Sequence, residues 1–449
     1  MSSKYNNVYR KLVVGVNTKV PLIDGTLVNS INFDNAATTP PLFCVLDDII
    51  HFSPYYSSIH RGEGYKSQVS TNLYEETRDV VGRFVNYDPD YMQTIFVKNC
   101  SEAINKLCNI LYEKEDDDKV ILSSYMEHHS NDLPWREKYK VDYINVDTFG
   151  NLDINDLENK LIKYQGNIKL VTITGASNVT GHKNDIYSIS RLVHKYDCKL
   201  LVDGAQLVPH APVDLRPFYS EDHIDFIAFS GHKIYAPFGS GVLIGSKEVF
   251  EHYHPDHVGG GTISFVTPDY VRWASSPDKH EAGSPNVIGA LAMASSVKKL
   301  SSLGMNNLEN YERYLTEYAT TNLLSIPHVV IYGDYLNFHN KVSIISFNIS
   351  GIHHGILAKI LSYEFGIAVR SGCFCAQPYM QKLLNVSQEE INRNMSLPKE
   401  VYPGTVRISF GMYNTIGEID RFLYAINKIS LNRGYYIRKY RDIKRTLLD

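Results

Sequence analysis

A carboxylate and an amine, distant along the chain, carry the first chemical hint. Lys199–Val202 is a short apolar run that leads straight into Asp203, followed by Gly-Ala-Gln206. A second run, Asp225–Ser230, leads into Gly-His232-Lys233. An acid after an apolar strand can simply cap a helix, and a lone lysine usually lies on the surface. Together the two suit pyridoxal phosphate chemistry. There an amine forms a Schiff base, and an acid keeps the pyridine nitrogen protonated so that the ring withdraws electrons. The phosphate needs donors. Asn99-Cys-Ser101-Glu102 stands between a strand and a helix, where free N–H groups and the Ser101 hydroxyl face an anion. Ser230 and His232 flank the lysine. His128, in Met126-Glu-His-His-Ser-Asn131, can stack on a ring and move protons near neutral pH. Asn178 and Gln206 can hydrogen-bond a ring hydroxyl. Arg407 and Arg370 compete as the planar fork for a substrate carboxylate.

These residues sit where a particular architecture would hold them. Thr94–Val97, Val120–Ser123, Asp142–Val146, Lys169–Thr174, Lys199–Val202 and Asp225–Ser230 read as strands, with a helix over Ser101–Leu111 and helical patterns between many of the others. Several are continuous apolar runs, as expected of strands buried on both faces. The pattern predicts an α/β fold, a mostly parallel sheet wrapped by helices, with its chemistry at the carboxyl ends of the strands. A long helix over Ala290–Leu303 precedes shorter strands, Val329–Tyr332, Val342–Asn348 and Val406–Phe410. We expect a large domain over residues 31–295. Residues 1–30 and 296–449 form a smaller α+β domain, with the N-terminal segment packed on its C-terminal part.

Composition narrows the function. The 449 residues carry 45 Lys+Arg against 49 Asp+Glu, a net charge of −4, with 43% hydrophobic residues. That balance excludes a disordered chain and speaks against nucleic-acid binding. The basic stretch Arg433 to Arg445 reads as a helix surface, and the acidic run Glu113 to Asp118 as a solvated turn. The N-terminal residues lack the apolar core of a signal peptide, and no stretch is long and apolar enough for a membrane helix. Six scattered cysteines make no disulfide framework, so a cytoplasmic location is expected. Cys373-Phe-Cys375 and His252-x-His254-x-x-His257 are the metal-like spacings, and neither completes a ligand set. No metal is expected.

The ordered motifs resemble a known family. Phe33-Asp-Asn35-Ala-Ala-Thr38, His60-Arg-Gly62, Met126 to Asn131, Ser177-Asn-Val-Thr-Gly181, Val202 to Gln206, Phe229 to Lys233, Glu281-Ala-Gly-Ser284-Pro-Asn286, Arg370-Ser-Gly-Cys-Phe-Cys375 and Arg407 through Thr415 look like those of class V aminotransferase-fold enzymes. Within that class they resemble the group II cysteine desulfurases and selenocysteine lyases. The resemblance implies a fold type I pyridoxal phosphate transferase whose large domain has a seven-stranded, mostly parallel sheet. It implies that Lys233 carries the cofactor and that Asp203 pairs with the ring nitrogen. His128 would stack on the ring, Gln206 meet its oxygen, and Ser101, Ser230 and His232 hold the phosphate. Ser284 would reach the phosphate of a partner subunit, making a homodimer. Asn178 and Arg407 would hold the amino acid, with Arg370, Asn35 and His60 as further substrate-side candidates. Cys375 aligns with the nucleophile that takes sulfur from L-cysteine as a persulfide and leaves alanine, for delivery to an acceptor protein. The competing reading is another class V enzyme: a selenocysteine or C–S lyase, an aminotransferase or an epimerase.

Two departures stand out. Cys373 occupies a position where many group II enzymes have histidine. The polar segment 385–404, which includes Ser396-Leu-Pro-Lys-Glu400, is longer than in that group. With its Arg-x-Gly-Cys-Phe-Cys run the region also resembles the molybdenum cofactor sulfurases. A segment there can cover the site or dock a partner.

Overall fold

The computed structural model describes residues 7–116, 118–147, 149–396 and 402–446. Its central layer is a seven-stranded sheet. Across it run Met92–Val97, Gly241–Ser246, Phe226–Ser230, Leu200–Asp203, Ile168–Thr174, Val120–Ser124 and Lys140–Ile144. From Phe226–Ser230 to Lys140–Ile144 every pairing is parallel. Gly241–Ser246 is antiparallel to both neighbours. The link from Ser230 to Gly241 holds only a short 3-10 turn, Gly231–Lys233. It is too short for the helical crossover a parallel return requires.

Strands Phe226–Ser230, Leu200–Asp203 and Val120–Ser124 are buried along their whole length, as their unbroken apolar sequence predicts. Alternate side chains feed two cores. Leu201, Phe226 and Ala228 pack with the helix Cys100–Leu111. Val202, Ile227 and Phe229 pack with Ile186, Ile189 and Val193 of the helix Ile186–His194. One expected strand is displaced. Asp142–Val146 is observed as Lys140–Ile144, and Val146 instead bridges Leu152 across a turn.

A second, antiparallel sheet runs Val329–Ile331, Ile344–Ile349, Thr405–Ser409, Arg370–Gly372, with its own core around Phe347, Phe410 and Phe422. The helix Val287–Leu303 continues unbroken through residues 295 and 296, and the chain turns at Gly304, where a φ of 82° suits glycine. N-terminal residues lie against the C-terminal half. Ile31–Asn32 pairs in parallel with Ile367–Ala368, and Asn7 Nδ2 donates to Met412 O at 2.7 Å. Within segment 385–404 a helix, Gln388–Asn394, starts from a Ser387/Glu390 capping box. Residues 397–401, which include Leu397 to Glu400, lie outside the described residues. The basic stretch forms the helix Arg433–Thr446. Among the described residues no helix is long and apolar enough to cross a membrane.

Candidate active site

At the carboxyl ends of the parallel strands, where the small sheet meets the large one, lies a cleft of about 250 Å³. It is lined by Ser101, His128, Asn178, Asp203, Gln206, Ser230, His232, Lys233, Arg370, Cys375 and Arg407. Eleven residues singled out from the sequence thus converge on one cavity.

Asp203 ends its strand and Lys233 ends the 3-10 turn after the neighbouring strand. Parallel pairing brings both to the same edge. Burial pushes the Asp203 carboxyl up, opposed by the Ala205 N–H, the nearby Lys233 charge and the Cys100 thiol. Burial pushes the Lys233 ammonium down, opposed by Asp203. Beside them Cys100 Sγ donates to Asp203 Oδ1 at 3.4 Å.

The helix Cys100–Leu111 aims its N-terminus into the cleft. Asn99 caps it by accepting from Glu102 N at 2.9 Å. Cys100 N donates to Ser230 Oγ at 2.8 Å, and Ser101 Oγ lies 2.6 Å from Ser130 Oγ. A Cβ on Gly241 would come within 2.7 Å of Asn99 Cα, so only glycine lets that strand approach the cap so closely.

His128 is neutral. Burial, aided by the charges of Lys233, His129 and Arg407, pushes its pKa down to about 3. Its Nδ1 accepts from Ser130 N at 3.1 Å, so the ring proton sits on Nε2. The loop is held from below by Glu127, whose carboxylate accepts from Ser124 Oγ, Asn131 Nδ2 and Thr174 N. Burial nevertheless pushes the Glu127 pKa up to about 8. His232 is likewise neutral, pushed down to about 4 by burial and by Lys233.

The two arginines separate clearly. The Arg407 side chain is 3% exposed and that of Arg370 56%. Arg407 Nη1 donates to Asn178 O at 2.8 Å, Nη2 to Asp34 Oδ1 at 3.1 Å, and the guanidinium lies 4.8 Å from the Phe374 ring centre. Its Nε is buried without a hydrogen-bond partner. Asn178 Nδ2 donates to Phe374 O at 2.6 Å. Cys375 O accepts from His129 N at 2.6 Å. Phe374 and Cys375 both take positive φ, 54° and 56°, a conformation that costs non-glycine residues energy. The Cys375 side of this loop is exposed.

Three candidates fall outside this cleft. Asn35 is spent on scaffolding: its amide donates to Ser409 O and Asn414 Oδ1 and its oxygen accepts from Tyr413. His60 also lies apart from the cleft lining. Its Nε2 pairs with Glu75 at 2.9 Å, beside a network in which Arg78 grips Glu281. Ser284 is exposed on the loop after Glu281 and does not line its own chain's cleft. Conversely, Cys100, Ser130 and Phe374 line the cleft without having been singled out. Only their neighbours in the motifs pointed to them. The spacing His252-x-His254-x-x-His257 gathers no metal cluster among the described residues. His254 stacks edge-on to Trp273 and His257 pairs with Asp256.

A model of the class-V aminotransferases matches residues 31–422. The chain belongs to the class-V aminotransferase family. This class V chain is 35% identical over 413 residues to a probable cysteine desulfurase of Pyrococcus abyssi, covering 89% of this chain and 94% of that one. It is 33% identical over 427 residues to a cysteine desulfurase of Wigglesworthia glossinidia brevipalpis, covering 92% and 96%. Among solved structures, the apo cysteine desulfurase of Thermococcus onnurineus NA1 superposes with a TM-score of 0.83 at 30% identity, covering 96% of this chain and 99% of that one. The cysteine desulfurase CsdA of Escherichia coli, in its S-sulfonic acid form, gives 0.78 at 27%, covering 95% and 99%.

The cleft of this class V enzyme fits pyridoxal phosphate. A helix N-terminus with serine hydroxyls stands ready for a phosphate, and a buried acid for a protonated ring nitrogen. Gln206 Oε1 is buried without a partner while its Nε2 donates to Ala36 O at 2.7 Å. An unmet amide oxygen in a polar cavity is what a bound polar ring would satisfy.

Proposed function

We propose that the protein is a pyridoxal-phosphate-dependent cysteine desulfurase that converts L-cysteine to L-alanine and retains the sulfur as a persulfide on Cys375. The observation that carries this reading is the exposed Cys375, held at the mouth of a cleft that also contains Lys233, Asp203 and Arg407. The balance is simple: the substrate Cβ–S bond breaks, an S–S bond forms to Cys375 Sγ, and the thiol proton ends on the alanine carbon.

When bound, pyridoxal phosphate supplies an electron sink that labilises bonds at the substrate α-carbon. Ser101, Ser230 and His232 would hold its phosphate, Asp203 its ring nitrogen and Gln206 its ring oxygen. Lys233 Nζ, its charge disfavoured by burial, is available as a neutral amine to bond the cofactor and to move the substrate α-proton. Neutral His128 would cover the ring and present Nε2–H to it. Arg407, with a free Nε–H, holds the substrate α-carboxylate, and Asn178 ties this arginine to the loop of Cys375. The more exposed Arg370 faces the same opening, where it steadies a thiolate.

The same reading extends to a homodimer, in which Ser284 on its exposed loop serves the partner's phosphate, and to a cytoplasmic location. An acceptor protein takes the sulfur from Cys375. The test is incubation of the cofactor-loaded protein with L-cysteine, followed by alanine analysis and intact-protein mass spectrometry. The reading expects alanine together with one added sulfur atom on Cys375. Alanine production that persists in Cys375→Ala would instead make the protein a lyase.

A further inference from the structure

At the edge of the sheet opposite the cleft, three side chains meet that the reaction does not use. His194 is the last residue of the helix Ile186–His194, and Asp225 immediately precedes the strand Phe226–Ser230. His223 stands two places before it. His194 Nε2 lies 2.9 Å from Asp225 Oδ2 and His223 Nε2 lies 3.6 Å from Asp225 Oδ1. All three ligand atoms fall within 4.8 Å of one another. We propose that His194, His223 and Asp225 form a site for a divalent metal ion of the zinc class.

Four features support a site over a simple ion pair. Both imidazoles are oriented by backbone carbonyls: His194 Nδ1 donates to Glu221 O at 2.8 Å and His223 Nδ1 to Ser220 O at 2.7 Å. A carbonyl only accepts, so each Nδ1 carries a proton and each ring turns its Nε2 toward Asp225. This carbonyl contact is the outer hydrogen bond that metal-bound histidines normally make. Against burial, the Asp225 hydrogen bond and charge hold the His194 pKa up, so a metal would displace a proton from His194 Nε2. Next, His223 Nε2 is buried with no hydrogen-bond partner, 3.6 Å from Asp225 Oδ1. The separations also fit. Two ligands about 2.1 Å from a tetrahedral zinc stand roughly 3.4 Å apart, and the two observed distances bracket that value. Last, the rings are fixed. They stack at 4.3 Å, and Phe218 closes over His223 at 4.9 Å.

The Asp225 side chain is 3% exposed, so its charge needs a counter-ion. His194 at 2.9 Å supplies the near one and Lys199 Nζ a weaker one at 3.5 Å. The Lys199 side chain is 44% exposed and can swing into water when a metal takes its place. Two imidazoles and one carboxylate leave a fourth position for water. A metal here would tie the end of the helix Ile186–His194 to the start of the strand Phe226–Ser230, far from the reacting atoms. The sequence hides the set, because His194 lies on a different element from the other two ligands.

The test uses the cofactor-loaded full chain carrying Cys373→Ser and Cys375→Ser, so that active-site thiols do not compete. After treatment with a chelator it is titrated with Zn²⁺ by calorimetry and with Co²⁺ by visible absorption. One ion per chain is expected, with cobalt bands of nitrogen and oxygen ligation. His223→Ala should weaken binding at least about tenfold, no less than loss of an outer-shell partner does. Lys199→Ala should bind as tightly or more so. If His194→Gln fails to fold, His223→Ala, on a loop, still decides. No stoichiometric uptake, or uptake that His223→Ala leaves unchanged, overturns the proposal.

Discussion

Replacing Asn178 by alanine should release the loop that carries Cys375 before any substrate arrives. Phe374 and Cys375 both sit at positive φ, which costs roughly 1–3 kcal/mol each. Three hydrogen bonds hold them there. Asn178 Nδ2 donates to Phe374 O at 2.6 Å, His129 N to Cys375 O at 2.6 Å, and Gln377 N to His129 Nε2 at 3.2 Å. Asn178 is buried, so its removal leaves the Phe374 carbonyl unpaired away from water, at about 1–3 kcal/mol. That is roughly a 5- to 150-fold rise in the open population of the loop. Hydrogen exchange on the substrate-free protein reads this directly. The Ala376 amide, bonded to Cys373 O at 3.0 Å, and the Gln377 amide should exchange faster by that factor. Iodoacetamide should also alkylate Cys375 at a changed rate. Activity alone would not serve, since Asn178 also borders the substrate. Unchanged exchange at both amides in a folded Asn178→Ala variant would refute the mechanical role given to this side chain.

Three other perturbations have defined outcomes. Lys341 is buried, donates to Thr180 O at 2.6 Å and has its pKa pushed down to about 8 by burial. Between pH 8 and 10.5 the unfolded chain therefore holds a proton that the fold does not, so this group makes stability rise with pH, by up to about 1.4 kcal/mol per unit. Lys341→Met should flatten that rise in urea midpoints. His128, pushed to about 3, also binds its proton only on unfolding between pH 3 and 6.5, so stability falls on acidification through that window. His128→Gln should lessen the fall, and the His128 ring resonances should not titrate between pH 8 and 5. Gly404→Ala would place a Cβ within 2.8 Å of the Gly372 backbone. It should separate neighbouring strands of the small sheet and lower stability by about 1–3 kcal/mol, seen in thermal melts.

The strands of the large sheet were legible because burial on both faces demands unbroken apolar runs, and such runs stand out. Asp203 and Lys233 were legible for the same reason, as polar residues abruptly ending those runs. Strand Gly241–Ser246 was harder to read: with Gly241 and Gly245 inside it, and no crossover helix before it, its antiparallel direction is a matter of connection length. The displaced strand at Lys140–Ile144 shows that a half-buried edge gives a weaker boundary. Asn35 and His60 stand in recognisable motifs, and only the fold shows that Asn35 bonds Ser409 and Asn414 and that His60 pairs with Glu75. The sequence by itself determined which chemical groups the chain owns and which edge of the sheet they must crowd. Only the tertiary structure buried Arg407 while leaving Arg370 exposed, fixed the proton on His128 Nε2, and joined His194 to His223 and Asp225. Those outcomes depend on burial and on contacts across long stretches of chain, and neither is a property of any local run of residues.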